Sequence, residues 1–300
     1  MTHVVCIGVA VLDKIFTVDA IPPERTKVFA RSYREIGGGP AATGAVTIAR
    51  LGGQSTLLAR VGDDATGRRI VEEIAEWGVE PRIRLAPGGR SGVSAVIIEA
   101  SGERTIFAFA DATLDADPAW LPLELVGRAD AVLADCRWPR GSAAVLGEAR
   151  RLGVTSVLDA DLASDDVLPM LAPMADHVVF SRPALARFAQ CDDPADGLRR
   201  ARRTCPGVLG VTVGADGFLW LDGEEVRSVP APQVTPQDTL GAGDVFHGAY
   251  ALAIGEGQAV EAAATFANAA AAIKCTRPGG RAGIPTRAEV SALISASKDG

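Results

Sequence analysis

The chain alternates between short apolar runs and longer segments whose apolar residues recur at helical spacing. Six apolar runs have the length of buried strands: residues 4–10, 55–61, 130–135, 154–159, 177–181 and 208–213. Helical periodicity is present near residues 40–50, 66–77, 142–152, 194–204, 243–254, 258–274 and 286–297, and a hairpin is predicted around Asp222 and Gly223. Strands that alternate with helices are typical of a mainly parallel sheet covered by helices on both faces. The pattern therefore predicts a three-layer α/β/α fold.

Two β-rich segments interrupt this alternation and predict a small β-sheet lid. The first, about residues 14–35, alternates loosely between apolar and polar positions and is broken by Pro22 and Pro23. The second, about residues 92–110, contains two apolar runs joined by a predicted hairpin turn at Gly102. We expect residues 1–300 to form a single α/β domain into which this lid is inserted.

Composition and charge are those of an ordinary globular protein and argue against two classes of partner. Of the 300 residues, 48% are hydrophobic and 22% are charged, and the formal net charge is −7. A chain of this charge lacks the basic footprint of a nucleic-acid-binding protein. No apolar stretch is long enough to span a membrane. We therefore expect neither nucleic acid nor a membrane as a partner.

The five cysteines are widely spaced, and none lies in a CxxC or Cys/His cluster. A zinc site is therefore not expected. Cys6 and Cys136 stand inside apolar runs and are predicted to be buried thiols. The first residues, MTHVVCIGVAVLD, lack the basic start of a signal peptide. These features predict a protein of the reducing cytoplasm.

The segment DTLGAGD, residues 238–244, carries the strongest chemical implication because a predicted helix begins within it. Gly241, Ala242 and Gly243 at a helix start would expose backbone N–H groups to an anion and keep Cβ atoms out of its way. Asp244 in the first turn would lie beside a bound phosphate and could remove a proton from an attacking hydroxyl. An N-capping Asp in an ordinary glycine-rich loop explains the segment equally well from chemistry alone.

Three further features are compatible with a ligand site. The turn containing Gly38 and Gly39 opens a predicted helix and could accept an anion or a sugar hydroxyl. Asp13 lies just after the first predicted strand, where α/β proteins often place ligand groups. The segment TVGADG, residues 212–217, ends a predicted strand in a bend that could border a nucleotide. Taken alone, the first feature is equally well explained by an ordinary strand-to-helix turn. A lone Asp at the second position is more often a turn or capping residue, and a plain hairpin explains the third.

In this order and spacing, the motifs resemble those of the ribokinase-like (PfkB) carbohydrate kinase family over almost the whole chain. The resemblance rests on these features: Gly8 and Asp13 with four residues between them, the glycine-rich helix start, the hairpin with Gly102, TVGADG, DTLGAGD and the late helix with Asn268. It implies a central α/β domain with a β-sheet lid. It also implies ATP with Mg²⁺ as the phosphoryl donor and a sugar hydroxyl as the acceptor.

The resemblance implies roles for the residues at the reacting centre. It places the catalytic base on Asp244 and the anion hole on Gly241, Ala242 and Gly243. It also implies that Asp238, with carbonyl groups from residues 275–285, holds a monovalent cation. Dependence of the activity on K⁺ is therefore a hypothesis.

The resemblance also implies binding residues for the two substrates. Sugar contacts fall on Asp13 and on the turn of Gly38 and Gly39. Nucleotide contacts fall on four residues in the last third of the chain: Thr212, Gly214, Gly217 and Asn268. Pairing of lid strands between two subunits is frequent in this family and predicts a homodimer.

The chain departs from the family pattern in two places. Ala42 stands where the family usually has an Asn that touches sugar hydroxyls. Residues 181–184, SRPA, replace the family's NxxE element, which helps to order Mg²⁺ and phosphate. We therefore assign no protein ligand to Mg²⁺.

One branch of the family, the bacterial sulfofructose kinases, shares these departures. The resemblance lies in the segments GGGPAAT, LADCRW, FSRPALARF and CTRPGGRAGIP. That branch phosphorylates 6-deoxy-6-sulfofructose at its 1-hydroxyl and binds the sulfonate through residues that match Lys27 and Arg137. Its third sulfonate contact matches Ala108. The two cations could equally hold a sugar phosphate or a carboxylate.

The sequence therefore predicts an ATP-dependent kinase of an anionic ketose, with 6-deoxy-6-sulfofructose as the first candidate. A kinase of fructose 6-phosphate or tagatose 6-phosphate is an alternative, and so is a kinase of 2-keto-3-deoxygluconate. A non-catalytic nucleotide- or sugar-binding protein on the same scaffold is an alternative of another class.

Overall fold

The structure is a computed structural model, and it describes residues 1–22, 24, 26–100, 104–114 and 116–296. Its strands are β1 (His3–Ile7), β2 (Val11–Thr17), β3 (Ser32–Gly38), β4 (Gln54–Gly62), β5 (Glu80–Ala86), β6 (Val93–Ile98), β7 (Arg104–Phe109), β8 (Ala131–Asp135), β9 (Thr155–Ala160), β10 (His177–Ser181), β11 (Val208–Thr212), β12 (Phe218–Asp222) and β13 (Glu225–Val229). Its α-helices are α1 (Pro40–Arg50), α2 (Ala65–Glu76), α3 (Pro139–Leu152), α4 (Val167–Leu171), α5 (Arg182–Ala189), α6 (Pro194–Ala201), α7 (Ala242–Gly255), α8 (Val260–Cys275) and α9 (Arg287–Ala296).

A nine-stranded sheet with the order β13-β12-β11-β10-β9-β8-β1-β4-β5 forms the centre of the molecule. In the part of this order from β11 to β5, every two neighbouring strands are parallel. The strands β12 and β13 form an antiparallel hairpin at one edge. The carboxyl ends of the parallel strands therefore meet at one edge, where ligands of open α/β sheets bind.

The hydrophobic core lies on both faces of this sheet because its central strands are almost entirely apolar. Val4 and Cys6 of β1 pack into one cluster, and Val5 and Ile7 pack into the other. Helices α1, α2, α7, α8 and α9 cover the first face, and α3, α4, α5 and α6 cover the second. The predicted three-layer α/β/α fold is confirmed.

A separate four-stranded sheet with the order β3-β2-β6-β7 forms the lid. β2 pairs with β6 in parallel, and the outer pairs are antiparallel. The lid begins earlier than predicted, because β2 starts at Val11. Asp13 was predicted to lie just after the first strand of the central sheet, but it lies inside the lid strand β2. The predicted hairpin turn at Gly102 lies outside the described residues.

Three elements were absent from the predicted pattern. β5 is the edge strand of the large sheet and alternates between exposed and partly buried positions. Helices α4 and α5 have five and eight residues and are too short to show a clear helical period. Ser181 marks the start of α5, because its hydroxyl accepts a hydrogen bond from the amide of Ala184.

The two thiols predicted to be buried, Cys6 and Cys136, are buried. Burial raises the pKa of both, that of Cys136 to about 12, so both are inert at neutral pH. In the described part of the chain, no helix has the length and apolar character needed to cross a membrane.

Candidate active site

Asp244 lies in the first turn of α7, directly after the predicted glycine-rich anion site. Gly241 precedes the helix with φ = 75°, a conformation that glycine adopts without strain. The amide of Ala242 already donates to the carbonyl oxygen of Thr239 at 3.2 Å. At Gly243, in the first turn of the helix, an added Cβ would meet no atom within 4 Å, so the space beside this residue is open. This arrangement suits an anion, which the positive end of the helix dipole attracts.

A small pocket of about 40 Å³ lies between the lid and the start of α7. Asp13, Gly38 and Gly39, the predicted sugar contacts, line this pocket together with Gly241 and Asp244. The structure therefore brings the predicted sugar contacts to the predicted base. The volume is on the order of one to a few water molecules.

A second pocket of about 300 Å³ lies on the other side of the glycine-rich turn. It is lined by all four predicted nucleotide contacts, which are Thr212, Gly214, Gly217 and Asn268. Ala242 and Gly243 line it as well, whereas Gly241 and Asp244 line the small pocket. The start of α7 therefore separates the two pockets and touches both.

Carboxylates from the ends of two neighbouring strands act on Asp244. Asp135 is the last residue of β8, Asp159 lies one residue before the end of β9, and Asp161 follows that strand. Burial, and after it the negative charge of Asp159, raises the pKa of Asp244 to about 7, and His247 opposes this rise. Asp161 and Asp135 add to the rise. A carboxylate with a pKa near neutral pH is well matched to accept a proton.

His247 fixes the orientation of this cluster from the same helix. Its Nδ1 atom lies 2.8 Å from the carbonyl oxygen of Gly243 and 3.4 Å from Oδ2 of Asp159. Its Nε2 atom lies 3.1 Å from the carbonyl oxygen of Val179 in β10. The buried ring therefore connects α7 to two strands of the central sheet.

Arg281 connects the end of the lid to the central domain. It is only 3% exposed, donates to the carbonyl oxygen of Gly38 at 2.8 Å and forms an ion pair with Glu73 of α2. Burial raises the pKa of the nearby Asp13, while a hydrogen bond from Ser94 and the charge of Arg281 lower it. A Cβ at Gly38 would lie 2.3 Å from Oδ2 of Asp13, so this close approach requires glycine.

Asp238, the predicted ligand of a monovalent cation, is surrounded by donors and cations. Its Oδ1 and Oδ2 atoms accept hydrogen bonds from the amides of Leu240 and Gly279 at 2.9 and 3.1 Å. Nζ of Lys274 lies 2.8 Å from its carbonyl oxygen and 3.4 Å from Oδ1, and Nη2 of Arg34 lies 3.8 Å from Oδ2. Burial raises the pKa of Asp238, but the Leu240 amide and the Lys274 charge outweigh it and lower the pKa.

The two predicted anion contacts, Arg137 and Lys27, are not part of the lining of these pockets. Nη2 of Arg137 forms an ion pair with Oδ2 of Asp161 at 2.8 Å, and its amide donates to Oδ1 of Asp135 at 2.8 Å. Lys27 is exposed in the segment between β2 and β3. Within the described chain, neither residue lines the pocket at Asp244 or the nucleotide pocket.

Sequence reasoning missed several residues of the site. Asp159 could have been found, because it ends an apolar run whose carboxyl end faces the ligand edge of the sheet. The contacts of Lys274 with Asp238 and of Arg281 with Gly38 give no such signal, because the partners are distant in sequence: Arg281 and Gly38 are separated by 243 positions.

Comparisons with known proteins agree on one family. The family described as pfkB family carbohydrate kinase matches residues 1–287. The chain is 30% identical over 297 residues to the ribokinase of Bacillus subtilis strain 168, with 98% of this chain and 100% of that protein covered.

Solved structures give the same result. A protein from Agrobacterium tumefaciens, provisionally described as a ribokinase, is 39% identical and superposes with a TM-score of 0.95 over 100% of this chain and 99% of that one. Arabidopsis thaliana ribokinase, complexed with ribose and ATP, is 26% identical and has a TM-score of 0.84 over 98% of both chains.

Proposed function

The chain belongs to the pfkB family of carbohydrate kinases and is an ATP-dependent sugar kinase, and we propose that Asp244 is its general base. One observation carries this proposal: the start of α7 separates the two pockets, with Asp244 on the side of Asp13 and with Gly243 on the nucleotide side. A sugar hydroxyl in the first pocket and the γ-phosphate of ATP in the second would meet at this turn.

In the proposed reaction, the Asp244 carboxylate accepts the proton of the sugar hydroxyl. The hydroxyl oxygen forms a bond to the γ-phosphorus, and the bond between that phosphorus and the bridging oxygen breaks, with its electron pair leaving on ADP. Backbone amides of the glycine-rich turn and the helix dipole stabilise the charge on the transferred group. The Ala242 amide joins them only if its bond to Thr239 lengthens.

Mg²⁺ would be held by the phosphate groups of ATP and by water. Among the described residues, no group of three or more His, Cys, Asp or Glu side chains is arranged to hold a metal ion. Bound to ATP, Mg²⁺ would neutralise phosphate charge. The protein's part is to bind and orient the two substrates and to move the proton at Asp244.

For the sugar, we propose an anionic ketose, with 6-deoxy-6-sulfofructose converted to its 1-phosphate as the first candidate. Support comes from Arg137, which projects from the carboxyl end of β8 at the ligand edge of the sheet, and from Lys27 in the lid. Binding would require Arg137 to exchange its ion pair with Asp161 for the anion, which is feasible because both side chains are partly exposed. Lys27 would approach when the lid closes over the sugar.

Other substrates remain candidates for this site. Fructose 6-phosphate, tagatose 6-phosphate and 2-keto-3-deoxygluconate each carry an anion that Arg137 could bind. Ribose is a further candidate, because similar proteins from Bacillus subtilis and Arabidopsis thaliana are ribokinases. A neutral sugar would leave Arg137 paired with Asp161.

We also propose that two copies of the chain associate through their lids, in the cytoplasm where ATP is available. Several large apolar side chains of the lid are exposed, and they include Phe29, Tyr33, Ile106 and Phe107. Burial of such a patch between two subunits would stabilise a dimer. Light scattering should give the mass of a dimer, and a monomer over the whole concentration range would contradict this proposal.

ADP release with a panel of these sugars tests the function. We expect turnover with at least one sugar, and Asp244→Asn should lower kcat by a factor on the order of 10²–10⁴ while ATP affinity stays within a few fold. Asp196→Asn, the same change in the first turn of α6, is the matched control and should keep full activity. Near-normal kcat in Asp244→Asn would contradict the base assignment. Faster turnover of a sugar phosphate or of ribose than of the sulfosugar would replace the first candidate.

A further inference from the structure

A buried lysine contacts the residue that was expected to hold a monovalent cation. Lys274 is only 1% exposed and projects from the last turn of α8. Its ammonium group lies 2.8 Å from the carbonyl oxygen of Asp238 and 3.4 Å from Oδ1 of the same residue. One residue thus supplies both a carbonyl and a carboxylate oxygen to a fixed positive charge.

The remaining surroundings of Asp238 leave little for a second cation. The amides of Leu240 and Gly279 point at its two carboxylate oxygens, and the guanidinium of Arg34 approaches Oδ2 to 3.8 Å. K⁺ in proteins binds where several oxygen atoms replace its hydration shell. Here the same carboxylate faces N–H groups and two cations, which repel an ion of like charge. The donor set present does not suit K⁺.

We propose that the ammonium group of Lys274 takes the place of the monovalent cation, so that phosphoryl transfer does not require K⁺ or Na⁺. The ammonium group and K⁺ have the same charge and a similar size. The lysine is covalently attached, so the site is filled at any salt concentration. This inference rests on the proposed function only in that the activity used to test it is sugar phosphorylation.

Lys274 acts as a positioning residue for the turn before α7. The amides of Gln237 and Asp238 donate to the carbonyl oxygen of Cys275 at 2.8 and 3.0 Å, which joins the start of this turn to the end of α8. The contacts of Lys274 to Asp238 add a charged link at the same place. Leu240 is then held by its hydrogen bond to the Asp238 carboxylate. The amides that follow would thereby be fixed for the phosphate.

The wild-type enzyme provides the first test and needs no variant. Initial rates are compared in KCl, NaCl and tetramethylammonium chloride at equal ionic strength, because tetramethylammonium is too large for the site. The rates should agree within about twofold, a difference well below the tenfold that 1.4 kcal/mol gives. The melting temperature should also be the same in the three salts. A larger activation by K⁺, or stabilisation specific to K⁺, would overturn the proposal.

Crystals soaked in RbCl give a readout that does not depend on activity. Rb⁺ scatters anomalously and replaces K⁺, and we expect no anomalous peak within bonding distance of the Asp238 oxygens. A peak there would overturn the proposal even for an enzyme that phosphorylates none of the sugars tested. Conversely, an absence of turnover in every salt would count against the proposed function and leave the melting and soaking results valid.

Variants of Lys274 test the exchange directly. Lys274→Ala removes the charge and opens a space, so it should lower kcat and make the remaining activity dependent on K⁺ or NH₄⁺. Lys274→Met fills the space without a charge and should lose activity that neither ion restores. Lys14→Ala removes a lysine from the lid surface and should show no activation by K⁺. Lys274→Ala with no response to K⁺ or NH₄⁺ would contradict the exchange, and if it fails to fold, the wild-type series still decides.

Discussion

The activity should follow the ionisation of Asp244. The base must be ionised to accept a proton, and its pKa is raised to about 7, first by burial and then by the charge of Asp159. One pH unit below the pKa, roughly a tenth of the carboxylate is ionised, and one unit above it, roughly nine tenths. The kcat/KM for the sugar should therefore rise about tenfold between about pH 6 and about pH 8. An Asp with the ordinary value of 3.8 would give a flat profile there.

The profile is best measured at saturating ATP by direct quantification of ADP, because coupling enzymes have pH dependences of their own. Asp159→Asn should move the midpoint to lower pH, since the amide keeps the shape of the carboxyl group and removes its charge from the neighbourhood of Asp244. Glu148→Gln removes a carboxylate of α3 that pairs with Arg151 at the surface, and it should leave the midpoint unchanged.

Two results would contradict this reasoning. A flat profile over a pH range in which circular dichroism shows a folded protein would mean that the base does not have a raised pKa. A midpoint that stays in place in Asp159→Asn would mean that the titrating group is elsewhere, for example on a phosphorylated substrate. Such a substrate effect would disappear with an uncharged sugar.

Three further predictions concern other parts of the site. Burial raises the folded-state pKa of Asp159 above the ordinary value of an Asp, so the stability that this group contributes is present below the ordinary pKa and is lost as the pH rises through the folded-state pKa. Asp159→Asn should therefore raise Tm by at least about 2 °C at about pH 8 and have little effect near pH 4. Gly38→Ala places a Cβ 2.3 Å from Oδ2 of Asp13, so the KM for the sugar should rise at least about tenfold with little change for ATP. Arg137→Ala should raise the KM of an anionic sugar by about tenfold or more and leave that of a neutral sugar unchanged.

Controls and contradicting outcomes are available for each of these. Gly147→Ala in α3 adds a Cβ whose nearest neighbour is 3.8 Å away, so it should keep normal kinetics. Equal effects of Gly38→Ala on sugar and ATP would indicate a general structural change. An unchanged KM for every anionic sugar in Arg137→Ala would place Arg137 outside the binding site. A Tm gain in Asp159→Asn that is equal at both pH values would have a cause other than ionisation.

The sequence predicted those parts of the fold that local physics determines. The start of α1 at Pro40 and the start of α7 after Gly241 were found because proline, glycine and helical periodicity act over a few residues. β5 was missed because an edge strand with charged residues lacks the apolar run of a buried strand. Asp13 was placed in the wrong element because only three residues, 8–10, separate β1 from β2.

The candidate site was predictable only in part, for a related reason. Asp244 and the glycine-rich turn form one continuous segment, so a sequence pattern can reveal them. The pKa of Asp244 depends on Asp159, which lies on a different strand, and the pairing of Lys274 with Asp238 depends on how α8 meets the preceding turn. Contacts of this kind follow from the packing of whole elements, which residue spacing does not contain.

The contact between the lid and Arg281 limits how this enzyme can be recombined with its relatives. Asp13 is in β2, the Cβ position of Gly38 at the end of β3 points at its carboxylate, and a Cβ at Gly37 would lie 2.1 Å from the Arg281 guanidinium. A chimera that receives a foreign lid would therefore have to inherit compatible residues at 13, 37, 38 and 281 together. To transfer the substrate range of a relative, these residues should consequently be exchanged together with the whole lid and not one at a time.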